Sequence, residues 1–450
     1  MKPFAAIAAL SVIVAAADAG AQTTLIRPDA PAGPPVTITL ADALQRAKQN
    51  EPTFLAAAAD AALAGEDRAQ ARAGLLPNLN YSIQDIGNQP SPGLKTGRYV
   101  SYDGPSMYRS WLIAHEDLSA GTLMGTPLAK ARAAEAAAQA KLEIAQRGLV
   151  VTVTKLYYAL ISTQRKYATA QAAAQQAQRF FEIAQQQERL GQVARADVVK
   201  AEISFRQQQQ AFDESALAMD NARLSLAVLL FPAFNENFSV VDDMQSAPAI
   251  PPFADVRTMA ERGNPDLRAA DALLREAGAD VRLARSGLLP SLSLEGIYGF
   301  EANEFAFHSV PAGDPELGVL PNVGYAFSVN LTVPLWDWGV QRSKVHQSQI
   351  RERQAQATLN LTQRQLVSNM YAMYNEATIA KTAVDSLRRA AELATESLRL
   401  TTLRYQAGES TALEMVDAQN TAVVARNAAD DAEARYRVAI AELQTLTGSF

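Results

Sequence analysis

Ala71-Arg72-Ala73-Gly74-Leu75-Leu76-Pro77-Asn78-Leu79 is nearly repeated 213 residues later as Ala284-Arg285-Ser286-Gly287-Leu288-Leu289-Pro290-Ser291-Leu292. Pro52 and Pro265 keep the same offset, each just after an Asn, in Asn50-Glu51-Pro52 and Asn264-Pro265. Further on, Leu190-Gly191-Gln192 and Ala407-Gly408-Glu409 each precede an amphipathic run, at an offset of 217. Several landmarks in one order and almost one register predict two tandem copies. We place them at residues 38–250 and 251–450.

Each copy follows one plan. A short helix leads to a longer one with a proline in its first turn, where the missing N–H is not needed. The longer helices are expected over 52–76 and 265–289, stopped by glycine and then by Pro77 and Pro290. Alternation follows. Leu292, Leu294, Tyr298 and Phe300 share one parity, with Ser291, Ser293 and Glu295 on the other. Tyr325, Phe327, Val329, Leu331, Val333 and Leu335 alternate with small or polar residues, and Leu79, Tyr81 and Ile83 do so in the first copy, with a return strand near 108–118. This period suits a strand with one apolar and one wet face, in a membrane barrel or a half-buried soluble hairpin alike. Residues 87–106 and 302–321, rich in Gly, Pro, Ser and Asn, read as long outer loops.

A heptad completes the plan. Leu142, Leu149 and Leu156 continue through Ala170, Ala177 and Ala184, with Val153, Leu160, Tyr167, Ala174 and Phe181 four residues on. The second copy repeats it in Leu359, Leu366, Met373, Ala380, Leu387 and Ala394. Such spacing predicts coiled-coil packing, and the alanines predict close helix approach. No proline interrupts residues 128–190, which at 1.5 Å per residue give helix on the order of 95 Å long. Gly191 and Gly408 are expected to turn each rod back on itself.

The chain has 450 residues, 20% charged, net charge −6 and no cysteine. Mild acidity argues against nucleic acid as a partner. Lys2, the apolar run 4–17 and the small residues up to Ala21 form a signal peptide over 1–21, followed by a Pro-rich tether over 22–37. With no Cys after the cut, lipidation of the mature end is not expected. No other apolar segment is long enough for a transmembrane helix, so any membrane crossing must use β-strands closed into a barrel. Four strands cannot close one. Two chains supply eight and three supply twelve, with room for water, and a trimer is the preferred solution.

These features together resemble the TolC-like outer-membrane efflux proteins over nearly the whole mature chain. The resemblance rests on the Asn-x-Pro and Asn-Pro pair, the two Leu-Leu-Pro boxes, Val333-Pro334-Leu335-Trp336-Asp337-Trp338-Gly339, and Tyr405-Gln406-Ala407-Gly408-Glu409-Ser410. It implies an α+β membrane protein: a transmembrane β-barrel, four strands per protomer and twelve in a homotrimer, set on a long α-helical coiled-coil barrel. The implied place is the bacterial outer membrane, reaching into the periplasm. The implied partners are a periplasmic adaptor protein and an inner-membrane RND or ABC-type pump, besides outer-membrane lipid. The first copy departs from the junction pattern, with Asp117-Leu118-Ser119-Ala120-Gly121 where Pro334 to Gly339 stand in the second.

The same resemblance makes the tips at Gly191 and Gly408 the inner constriction and the contact for adaptor or pump. Glu414 and Asp417, three apart, share a helix face and would form an acidic ring under threefold symmetry. Asp197 holds the matching place in the first copy, and Tyr405 matches a tyrosine that locks neighbouring helices. Ser410 stands where an arginine is expected, leaving Arg195 or Arg404 as substitutes. Without the resemblance, these acids read as a solvated helix face. Trp336 and Trp338, near Pro334 at the end of the last strand, suit an aromatic girdle at a membrane interface, or packing between sheet and helices.

Catalytic signals are missing. His115, His308 and His346 are scattered without metal-ligand spacing, no Walker or GxGxxG loop occurs, and neither cofactor nor metal is expected. Asp242-Asp243 reads as solvated linker. The competing reading is an elongated periplasmic scaffold or adaptor whose strands form a soluble domain.

Overall fold

The computed structural model describes residues 36–87, 106–232, 237–246, 248–302, 307–308 and 321–448. The expected leader, most of the tether and nearly all of both outer loops lie outside the described residues. The first half contains strand β1 (Val36–Ile38), helices α1 (Leu40–Asn50) and α2 (Pro52–Ala73), strands β2 (Asn78–Gly87) and β3 (Ser106–Asp117), and helices α3 (Ala120–Leu123), α4 (Thr126–Arg189) and α5 (Arg195–Leu230). Strand β4 (Phe238–Val240) leads to helices α6 (Phe253–Gly263) and α7 (Pro265–Ser286). Strands β5 (Ser291–Ala302) and β6 (Val323–Thr332) and helices α8 (Val340–Gln406) and α9 (Ala412–Thr447) complete the described chain.

Side chains next to each start fix the short helices. Thr39 and Asp42 bond each other's backbone N–H to open α1. Glu51 accepts from Phe54 N at 2.6 Å ahead of Pro52, and Asn264 from Leu267 N at 2.9 Å ahead of Pro265. Helices α2 and α7 end at Ala73 and Ser286, three residues before the expected stops. The Leu75 and Leu76 N–H groups bond back to Arg72 and Ala73 in a last turn, and Pro77 and Pro290 then release the chain into strands.

Helices α4 and α8 run 64 and 67 residues, about 100 Å each at 1.5 Å per residue. Their heptad seams face inward. Leu149, Val153, Leu160, Ala170, Ala174, Ala177 and Ala184 are buried on α4, as are Leu366, Met370, Ala377, Ala380, Val384 and Ala394 on α8. α4 packs on α5, α7 and α9, and α8 on α7 and α9.

Two features of the middle were not expected. The tether's last residues, Val36 and Thr37, belong to β1, which pairs in parallel with β4. The acids Asp242 and Asp243, read as solvated linker, are instead tied down. Arg165 on α4 grips Asp242 with two bonds of 2.6 and 2.7 Å and reaches Asp430 and Glu433 on α9, while Arg388 on α8 bonds Glu433 at 2.7 Å. Arg437 bonds Asp243 through its carbonyl oxygen and stacks on Tyr158. Buried Tyr157 donates to Val241 O at 2.7 Å and accepts from Val241 N at 3.1 Å, locking the strap of residues 241–246 that follows β4 to α4. Burial, and then the charge of Asp243, push its phenol up to about 12, so it stays a donor.

The four long strands form one antiparallel sheet in the order β2-β3-β5-β6. In the single chain it is open, and β2 and β6 have no further strand partner among the described residues. Strand β6 ends at Thr332, so Val333 and Leu335, expected on it, fall beyond. Register sorts the side chains into two faces. One aligns Tyr81, Leu112, Tyr298 and Tyr325 in one row and Ala114, Gly296 and Phe327 beside Leu79 in another, and Tyr325 is 88% exposed. The other aligns Asn78, His115, Glu295 and Ser328, and further along Gln84, Arg109 and Glu301. At Gly299 a Cβ would lie 1.9 Å from the Ser110 carbonyl oxygen, so β3 and β5 approach this closely only over glycine.

Replacing Tyr157 by Phe takes the partner from the Val241 carbonyl and leaves the Val241 N–H only its bond to Ile38 O, at a cost of about 1–3 kcal/mol. Thermal unfolding followed by circular dichroism should show a lower midpoint, and an unchanged midpoint would mean the strap is held elsewhere.

Candidate functional site at the hairpin tips

The rods turn where expected. α4 closes with Gly191 at φ +71°, and Gln192 N bonds Gln187 O at 2.8 Å; α8 closes with Gly408 at φ +77°, and Glu409 N bonds Arg404 O at 2.9 Å. Both are glycine-dependent left-handed caps that reverse the chain within a few residues.

Above them the two hairpins share one core. Phe180 and Ala184 of α4, Val198 and Ala201 of α5, Tyr405 of α8, and Ala412 and Met415 of α9 are buried together. Tyr405 is 5% exposed and meets Phe180 edge-on at 5.0 Å. Its hydroxyl is buried without a hydrogen-bond partner. Burial pushes its phenol above the usual range, and the nearby Asp197 carboxylate adds to that. The ring, not the hydroxyl, holds the hairpins together.

The acids lie differently. Glu414 and Asp417 are both exposed on α9, and Asp197 is half-buried on the first turn of α5. Ser410, in the arginine's expected place, donates to Glu414 at 2.7 Å. Arg404 bonds the Glu409 carbonyl at 3.1 Å and approaches Glu414 to 4.0 Å, whereas Arg195 pairs with Glu188 at 3.3 Å. Of the two substitutes, only Arg404 reaches the acid face. The seam also buries Ser204 of α5 and both amide atoms of Gln419 on α9 with no hydrogen-bond partner. The sequence held a signal for Gln419: it stands four residues after Met415 and three before Ala422, on the seam.

At the other end of the rods, Pro77 and Pro290 separate the helical turns from β2 and β5, and Pro334 follows β6. Trp336 and Trp338 are 77% and 87% exposed and meet edge-on at 5.6 Å. Trp338 sits at φ +56°, held by Asp337, which accepts from Gly339 N and Gln341 N. The first copy turns through α3 instead, with Ser119 as its cap. Within the chain, neither tryptophan is buried between sheet and helices. No cluster of three metal-ligating side chains occurs among the described residues.

The family model described as outer membrane efflux protein matches residues 43–230 and 256–449. Among curated relatives, nodulation protein T of Rhizobium leguminosarum bv. trifolii is 27% identical over 363 residues, 78% of this chain and 73% of that protein. Outer membrane protein TolC of Vibrio cholerae is 24% identical over 425 residues, 91% of this chain and 90% of that protein. The crystal structure of the Campylobacter jejuni CmeC outer membrane channel shares the fold, with a TM-score of 0.76 at 18% identity, covering 91% of this chain and 85% of that one.

Because the Tyr405 hydroxyl is buried and unpaired, Tyr405→Phe should leave the tips as closed as before, while Tyr405→Ala removes a ring worth about 3–5 kcal/mol of packing. Limited proteolysis within residues 190–194 should speed up for Tyr405→Ala only. Equal acceleration by both would assign the contact to the hydroxyl.

Proposed function

Because the chain belongs to the outer membrane efflux protein family, we propose that it is a passive trimeric duct of a tripartite efflux or type I secretion system. The observation that carries this reading is the sheet: an apolar, exposed face in continuous register, two open edges, and helices of about 100 Å at one end. In hydrocarbon each unpaired backbone group costs several kcal/mol, so the edges must be closed by further copies. β6 of one copy beside β2 of the next closes a ring. Three copies give twelve strands and a wet lumen continuous with the helical rods.

The two copies of the plan, 38–250 and 251–450, then supply six similar units around the axis. Leader 1–21 directs export. Pro77, Pro290 and Pro334 mark the junction of barrel and rods, where exposed Trp336 and Trp338 rest at the lipid headgroups. Helix tips at Gly191 and Gly408 face the adaptor and an inner-membrane RND or ABC-type pump, which supplies the energy, since the chain carries no nucleotide motif. Glu414 and Asp417, repeated three times, ring the constriction with negative charge. Tyr405 and Asp197 hold the neighbouring hairpins closed behind it.

Cell fractionation tests the duct against the periplasmic scaffold. Heat-modifiable trimers in the outer membrane are expected, and release as a soluble periplasmic protein would sink the proposal. The acidic ring is tested separately. Glu414→Ala with Asp417→Ala should raise single-channel conductance in planar bilayers and weaken block by multivalent cations. Unchanged conductance and block would leave both acids as surface charge.

A further inference from the structure

The wet face of the sheet holds a built group far from the tips. Gln84, Arg109 and Glu301 lie in one row across β2, β3 and β5. Arg109 donates to Glu301 at 2.8 Å and to Gln84 at 3.2 Å, and its guanidinium covers the Trp111 ring at 4.9 Å. Two bonds and a ring face therefore hold this cation in place. Trp111 is the bulkiest side chain on the wet face, and its row neighbours are Ser82, Gly299 and Gly324, which leave its bulk unopposed. Eight residues of strand, about 26 Å at 3.3 Å per residue, separate Arg109 from Asp117 at the helix end.

We propose that Arg109, Glu301 and Trp111 form a charge-balanced collar in the barrel lumen that narrows the duct's outer half while favouring ions of neither sign. This inference rests on the reading of the chain as a duct. Twelve strands spaced about 4.8 Å apart and tilted about 40° close a backbone cylinder roughly 24 Å across. A layer of arginine and tryptophan side chains brings the remaining bore to the order of the Debye length, about 10 Å at 0.1 M salt. A bare ring of like charge at this height is therefore felt across the whole opening. Paired with Glu301, Arg109 presents no net charge, so the collar passes solutes of either sign and selects by width. Selection by sign is left to the acidic tips.

The test uses the full-length protein in planar bilayers, with reversal potentials measured across a KCl gradient. Arg109→Gln leaves three uncovered carboxylates and should raise the cation-to-anion permeability ratio at least about threefold. Glu301→Gln should lower it by a similar factor, and the double variant should return it to the parental value. Parental ratios for both single variants, as heat-modifiable trimers, would overturn the collar. Should either variant fail to assemble, Trp111→Cys provides a second route, because the chain has no other cysteine. A charged methanethiosulfonate reagent should then lower conductance in three steps, and unaltered conductance after complete labelling would overturn the collar. Absence of any conductance from the parental protein would instead overturn the duct itself.

Discussion

The outer edges of β2 and β6 carry backbone N–H and C=O groups that no other strand among the described residues satisfies. In water such edges are tolerated, but in lipid they are not. Tyr81, Tyr298, Tyr325 and Phe327 share one exposed face, and nothing among the described residues covers it. The proposed duct sets lipid against this face and a strand of a neighbouring copy against each edge.

Hairpins of this length raise a second problem, since a long pair of helices bends and slides unless tied along its length. Three buried zones supply the ties: one around Tyr157 and Leu226, one around Tyr436 and Met370, and one at the tips around Tyr405. Between the first two, Arg165 joins α4 to the strap and to α9, and Arg388 extends the chain of ion pairs to α8. Burial pushes the Asp430 carboxyl up, and bonding from Arg165 only partly offsets it. The cluster thus works as a hydrogen-bonded brace whose carboxylates are not equally content. The tip seam is weaker in kind. Its buried Ser204, Gln419 and Tyr405 hydroxyl have no partners, so separating the hairpins would hydrate groups that the closed packing leaves unsatisfied.

Much of this was legible in the residues. The glycines at 191 and 408 turn the rods as their left-handed φ values require, and of the heptad positions Leu149, Leu366 and the alanines are buried while Leu142, Leu156, Leu359 and Leu387 are half-buried. Prolines at 52 and 265 open the helices they were expected to open. The acids of the tip were legible as a shared face but not as to partners, because Ser410, Arg404 and Glu414 meet only once the chain has reversed. Arg109 and Trp111 were not legible as a group for a related reason. On a strand they are merely alternate residues, and they become a group only when register brings Gln84 and Glu301 alongside.

Periodicity and local stops are properties of contiguous sequence, and so the chain alone marked its rods and its four long strands, while the short strands β1 and β4 carried no such signal. Pairings between distant segments are not local, and only the tertiary structure decided them. Packing brought β1 to β4 across some two hundred residues, and Asp242 from an open linker into the grip of Arg165. It also placed the Tyr405 ring, and not its hydroxyl, at the contact between hairpins. A hydrogen bond or ion pair depends on where two side chains meet in space, and no spacing along one strand of text encodes that meeting.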